Sequence, residues 1–181
     1  LASGEATSTV VAPVPYFPSR NPRFGDWARY ADAPMAETRN GIAVLHPRYL
    51  SIPKIGMSVA PYLLYWAMVP VLRRLLAEGN RFDAIDAHYF YPDGVAAVWL
   101  GRRFGLPVVV TARGSDVSQL PEYATPRRLI RGSIAGSAAM ITVSAALKDA
   151  LLALGAPDEK VTVLRNGVDT ALFHPPADRE K

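Results

Sequence analysis

FDAIDAHYFYPDGVAAVWLGRRFGLPVVVTARGSD, residues 82–116, reads as strand, polar loop, helix, strand and polar loop. Phe82–Ala87 is short and apolar enough for a buried strand, and His88–Asp93 then gathers aromatics, a proline and two ionisable groups. Val95–Phe104 places Val95, Val98, Trp99 and Arg102 at helical spacing, and Gly105 stands where a helix end turns left-handed at no steric cost. After Pro107 the β-branched run Val108-Val109-Val110 suits a parallel strand covered on both faces, before the chain breaks into Arg113-Gly114-Ser115-Asp116. The stretch is a βαβ unit.

Downstream, Thr125-Pro126 predicts an N-cap and a first-turn proline for a helix running to Ser137, with Arg127, Arg128 and Arg131 on a solvated side. Ala139–Val143 reads as a strand, Ser144 caps a helix over Ala145–Leu154, Gly155 ends it, and Val161–Leu164 is one more strand. Upstream, Thr7–Ala12 reads as a strand that stops at Pro13-Val14-Pro15, and Tyr16–Arg39 as a long loop without period. Gly41–Leu45 predicts a short strand, and Pro61–Ala77 a helix kinked at Pro70. That helix is apolar over more than one face and carries Arg73-Arg74. Its plain reading is a core helix with solvated arginines; the alternative is a lip that touches lipid, with aromatics at the interface.

The 181 residues suit one sizeable core, and 50% hydrophobic content is ordinary for a globular domain. With no cysteine there is no disulfide scaffold, thiolate metal site or cysteine nucleophile, and a reducing cytoplasm is the expected setting. The net charge of +4 is compatible with an anionic ligand or a phospholipid surface, and nothing points to nucleic acid. Ile55–Leu72 is free of charge, but Gly56, Ser58, Pro61 and Pro70 interrupt it and argue against a membrane span. Leu1-Ala2-Ser3-Gly4 reads like the frayed end of a helix. One domain is expected over residues 1–174, with a linker starting at 175–181.

Strands alternating with helices predict an α/β domain, a Rossmann-like open parallel sheet with helices on both faces and right-handed crossovers. Ligands of such sheets bind outside the carboxyl ends of the strands, and the polar clusters fall there. His88 is a candidate general acid or base, or a partner for a sugar hydroxyl, with Tyr89 and Asp93 in its loop. Gly114 and Ser115 could bring backbone N–H groups to an anion, with Asp116 taking hydroxyls; the same triplet also makes an ordinary turn. Ser144 could meet a phosphate, or simply cap its helix. Asn166–Asp169 closes the set. The chain has no Gly-x-Gly-x-x-Gly, P-loop, His-Glu-x-x-His or Gly-x-Ser-x-Gly, which weakens the case for a dinucleotide enzyme, a P-loop NTPase, a zincin or an α/β-hydrolase. Three histidines and no cysteine argue against a protein metal site.

Asp86-Ala87-His88-Tyr89 with Pro92-Asp93-Gly94, Thr111–Asp116, Val143-Ser144 and Val163–Asp169 with Phe173 and Pro175 together resemble the N-terminal domain of GT-B-fold, family four retaining glycosyltransferases. The match in order and spacing covers Phe82–Pro176; the first eighty residues agree in outline only. The resemblance implies an acceptor-binding half, with His88 near the transferred sugar or the acceptor, Arg113 and Asp116 lining the acceptor side, and Asn166–Asp169 leading to a second, nucleotide-sugar-binding half. It implies retention of anomeric configuration without a bound metal or other cofactor, a hexosyl group moving from a nucleotide-sugar to a glycan or lipid-linked glycan, and polysaccharide biosynthesis at the inner face of the membrane. The family's first strand and its glycine-rich loop would precede Leu1, so the flanking strands would present open edges, prone to self-association, and these residues alone would not transfer sugar. A nucleotide-sugar epimerase half, a non-catalytic glycan-binding module and a membrane-surface domain remain alternatives.

Overall fold

The computed structural model describes residues 6–51, 56–170 and 172–173. The expectations for Leu1–Gly4 and for a linker over 175–181 lie outside them. The widest sheet among the described residues has four parallel strands, β6 (Ile85–His88), β7 (Val108–Ala112), β8 (Ala139–Thr142) and β9 (Val161–Val163), in that order. Its register, Ala87 against Val110 and Val110 against Met140, aligns alternate side chains into one apolar face. Helices α3 (Val95–Phe104), α5 (Ala124–Gly136) and α6 (Ala145–Ala153) connect the strands, and Val98, Ile130 and Leu151 join Val110 and Met140 in the core. The sheet flanked by helices is the expected α/β architecture.

Gly105 ends α3 at φ 72°, and Ser144 Oγ accepts the Leu147 N–H at 3.3 Å to cap α6. For α5 the cap differs from expectation: the residue before the helix is Tyr123, without a side-chain hydrogen bond, and Pro126 sits in the first turn. Two of the arginines expected on a solvated face are tethered. Arg127 donates to the Pro121 and Glu122 carbonyls, and Arg131 Nε donates to the Leu154 carbonyl at 3.1 Å.

The first fifty residues depart furthest from the sequence reading. β1 (Thr9–Val11) is as expected, but Tyr16–Arg39 is structured: α1 (Asp26–Asp32) is followed by β3 (Ala36–Arg39), which returns as a hairpin with β4 (Ile42–Leu45). Asn40 and Gly41, at φ 50° and 78°, make the left-handed turn that two-residue hairpins favour. β2 (Val14–Pro15) forms despite its prolines, because the N–H groups of Val14 and Tyr16 donate to Pro47 and Tyr49 of the strand region β5 (Arg48–Tyr49), while Pro13 and Pro15 point the other way.

Helix α2 (Gly56–Ala77) is longer than predicted and includes both Pro61 and Pro70. It buries Leu64, Met68, Val69 and Leu75 and turns Tyr62 and Trp66 outward, 44% and 64% exposed. Met68, Val69 and Leu100 of α3 form a small second core that also touches Val11 and Ile85. This packing is what joins β1-β4-β3 to the larger sheet, since among the described residues no ladder connects them. No helix among the described residues is long and apolar enough to cross a membrane.

Close packing fixes Gly101, where a Cβ would overlap Val108 Cγ2 and lie 2.6 Å from the Leu106 carbonyl oxygen. In an open helix Gly→Ala would stabilise by about 1 kcal/mol. Here the sign reverses: Gly101→Ala is expected to destabilise by about 2 kcal/mol, read as a lower urea midpoint at unchanged slope.

Candidate functional site

Four strands in parallel deliver their following loops to one rim, and two of those loops meet there. His88 is the last residue of β6 and Arg113 the first after β7. The Arg113 guanidinium reaches His88 Nδ1 at 2.6 Å from Nη2 and 3.2 Å from Nε. Arginine has donors only, so Nδ1 must accept and the ring proton of neutral imidazole lies on Nε2. That Nε2–H faces Asp86 Oδ2 at 3.5 Å, two residues back on the same side of the strand, and the imidazole side chain is 49% exposed. Arg113 Nη1 also approaches Asn166 Oδ1 at 3.4 Å, bringing in the loop after β9. The site therefore offers an imidazole N–H, a guanidinium and a carboxamide along one exposed edge.

Beneath this edge lies Asp116, with no exposure to solvent. Its Oδ2 accepts the Phe90 N–H at 2.8 Å, and its Oδ1 accepts the N–H groups of Arg113 at 3.1 Å and Gly114 at 2.8 Å. One carboxylate thus ties the loop after β6 to the loop after β7. Three backbone donors satisfy a buried charge far better than one, and they fix both loops relative to each other. Tyr89, between His88 and Phe90, takes φ 73° and exposes its ring, a conformation uncommon for a residue with a Cβ and held here by the pinned neighbours.

The remaining expected residues fall nearby in different roles. Ser115 is exposed at the start of the four-residue helix α4 (Ser115–Ser118), next to Gly114. Ser144 follows β8 at the same end of the sheet and is engaged as the cap of α6, without a hydrogen bond to His88 or Arg113. Asp93 lies in the turn before α3, where burial raises its carboxyl above the usual carboxylate range against a smaller lowering from its own backbone N–H. Burial also raises the Tyr49 phenol, with the Asp93 charge adding to it.

A carboxyl whose folded pKa is raised favours the fold in its neutral form. That contribution is present below the unfolded pKa and is lost as pH rises through the folded value. Asp93→Asn is therefore expected to raise the melting temperature at neutral pH and to flatten its pH dependence through the acidic range, in a melting series measured beside the parent. Asp86 is the site residue not singled out from the sequence, although the spacing of two on a strand places it beside His88.

The model of Glycosyltransferase Family 4 matches residues 26–172. The Bacillus subtilis (strain 168) protein TuaC, named as a glycosyltransferase of teichuronic acid biosynthesis, is 26% identical over 167 residues, which are 91% of this chain and 42% of TuaC. Among solved structures, sucrose-phosphate synthase from Thermosynechococcus elongatus superposes on 81% of the chain and 38% of its own, at a TM-score of 0.61 and 14% identity. Anabaena HepE, solved with UDP and glucose, covers 76% of the chain and 34% of its own, at a TM-score of 0.50 and 18% identity. The chain thus spans less than half the length of these relatives, and the structural likenesses speak for the fold. Since the family model runs from α1 past β9 and takes in both loops that Asp116 ties together, the chain belongs to Glycosyltransferase Family 4.

Proposed function

We propose that residues 1–181 are the acceptor-side half of a glycosyltransferase that moves a hexosyl group from a nucleotide-sugar to a glycan or lipid-linked glycan with retention of configuration. The observation that carries this reading is the junction of His88, Arg113 and Asn166 at the carboxyl ends of the strands, inside the span matched by the family. With Nδ1 held by Arg113, His88 can turn its Nε2–H from Asp86 Oδ2, 3.5 Å away, to a sugar hydroxyl or to a leaving oxygen as charge develops on it. Arg113 supplies a fixed positive charge on the same edge, suited to a phosphate or an anionic acceptor. Gly114, Ser115 and Tyr89 adjoin that edge in sequence, and Asp93 before α3 and Ser144 after β8 lie at the same end of the sheet. Asp116 is assigned to holding the loops rather than to touching substrate.

Transfer is proposed to proceed without a bound metal, as the family resemblance implies. The printed name of TuaC points towards a cell-wall polysaccharide as product, and HepE, solved with UDP and glucose, towards a uridine diphosphate sugar as donor. The outward Tyr62 and Trp66 of α2, followed by the exposed Arg73 and Arg74, suit contact with an anionic membrane that carries the acceptor. The test is incubation of the full-length protein with nucleotide-sugars and polyprenyl-phosphate-linked acceptors in the presence of EDTA, with the new linkage read by proton NMR. A product of retained configuration is expected; inversion or hydrolysis alone would sink the reading.

A further inference from the structure

Between β2 and β3 the chain makes an excursion, residues 16–35, whose aromatic rings the cores do not use. Phe17 packs against Phe24 with ring centroids 5.2 Å apart and against Trp27 at 5.9 Å, and Trp27 meets Tyr30 at 5.6 Å. Trp27 and Tyr30 stand three apart on α1 and so share a face. None of the four rings joins the core around Val110 or the one around Met68. Phe24, Trp27 and Tyr30 stay 50%, 39% and 36% exposed. A contiguous exposed patch of this kind marks a contact surface.

The excursion is held by polar bonds rather than by burial. Asn21 Oδ1 accepts the Arg23 N–H at 3.0 Å, Arg20 Nε pairs with Asp32 at 2.9 Å, and Arg48 of β5 donates to the Ala33 carbonyl. The rings, packed edge to face on one another, therefore lose little rotamer freedom when something binds. The row they form also has a direction. Its Tyr30 end lies near Tyr49 of β5, whose phenol is raised by burial and then by the charges of Asp93 and Tyr30. Asp93 sits in the turn between His88 and α3, so the row approaches the rim of His88 and Arg113 from the β5 side.

Aromatic rings flanked by charge suit either a lipid surface or a saccharide, and here the charges decide. An anionic bilayer would bring its phosphates onto Asp26 and Asp32, which stand at the two ends of α1. A saccharide has a use for both signs. The C–H face of a pyranose settles on an electron-rich ring face, while its hydroxyls donate to Asp26 and Asp32 and accept from Arg20, Arg23 and Arg29. We propose that Phe24, Trp27 and Tyr30 form an aromatic shelf that binds sugar units of a glycan acceptor behind the unit that receives the transferred sugar. The shelf rests on the transferase reading of the rim, and it narrows the acceptor to one that already carries several sugars.

The test applies the full-length protein, without any donor, to an array of neutral, amino and uronic-acid oligosaccharides running from disaccharides to hexasaccharides. Retention in at least one series is expected to rise with length, and Trp27→Ala is expected to weaken it about tenfold, the scale of one lost stacking contact. Trp27→Phe keeps a stacking face, so it should retain most of the binding and controls for damage to the fold. No retention anywhere on the array, retention independent of length, or equal retention by parent and Trp27→Ala would each overturn the shelf. Co-sedimentation with phosphatidylglycerol vesicles that Trp27→Ala abolishes, with glycan retention intact, would assign the rings to lipid and overturn it as well. Because the array needs no transfer, a protein that transfers sugar but shows no such retention sinks the shelf alone. One that binds in the expected way yet transfers nothing keeps the shelf as a glycan site and sinks the transferase reading.

Discussion

His88→Ala in the full-length protein is expected to lower kcat for sugar transfer by about a thousandfold, within the range for loss of a positioned proton donor. The imidazole is half exposed, and among the described residues its polar partners are Arg113 and Asp86. Removing it orphans no buried group, so stability should change by about 0.5 kcal/mol or less. Two roles of the ring can be separated. His88→Asn keeps an acceptor near Arg113 but presents no N–H at the position of Nε2. If the ring serves only to hold Arg113, the asparagine variant recovers most of the activity; if Nε2–H acts on substrate, it stays as slow as alanine. Steady-state rates with circular dichroism and thermal melts on all three proteins give the answer.

The second large effect is expected at Asp116, and there stability and activity should fall together. Asp116→Ala strips the acceptor from the N–H groups of Phe90, Arg113 and Gly114. Orphaned donors cost about 1–3 kcal/mol each when water cannot reach them, and partial relaxation brings the expected total to about 4 kcal/mol. For a chain of this size that is about 10 °C in melting temperature. Asp116→Asn is the sharper variant. Its oxygen can keep Arg113 and Gly114, but its amide then opposes the Phe90 N–H donor to donor. The expected loss is about 2–3 kcal/mol, concentrated on the loop after β6. Amide exchange should rise at Phe90 and Tyr89 while staying low in β8. Asparagine behaving like the parent in both exchange and rate would remove Asp116 from the role of joining the loops.

The central βαβ unit was legible because each of its signals is local and redundant. Three valines in a row, a glycine at the helix end and loops of charged and small residues agree on one answer, and the structure places β6, α3 and β7 within a few residues of it. The first fifty residues were not legible in that way. α1 is a seven-residue helix whose only buried residue is Ala28, and Trp27 and Tyr30 pack on each other while staying more than a third exposed, so no apolar period marks it. β3 reads Ala-Glu-Thr-Arg, an edge strand made of polar residues. Its one signal, Asn40-Gly41 ahead of Ile42–Leu45, is a two-residue hairpin mark. At the candidate site, position after a strand was enough to place His88, Arg113 and Asn166 on one rim, where the structure brings them into contact. What each does was not: whether Asp116 faces ligand or backbone depends on two loops that lie 26 residues apart, and no local pattern carries that.

Among the described residues no ladder joins β1 to β6, and this bears on how the molecule comes apart. A sheet normally spreads cooperativity sideways, strand to strand, so that a domain melts as a whole. Here the β6–β9 layer holds the large core around Val110, Ile130 and Met140, while β1, β3 and β4 lean on it through Met68, Val69 and a few neighbours. Residues 1–181 should therefore behave as two foldons of unequal depth, with the hairpin side opening at a fraction of the free energy that the central layer demands. Denaturant would then reveal a sloping first phase by near-ultraviolet signals from Trp27, ahead of a steep one from Trp99. A single melting temperature would describe the second foldon only.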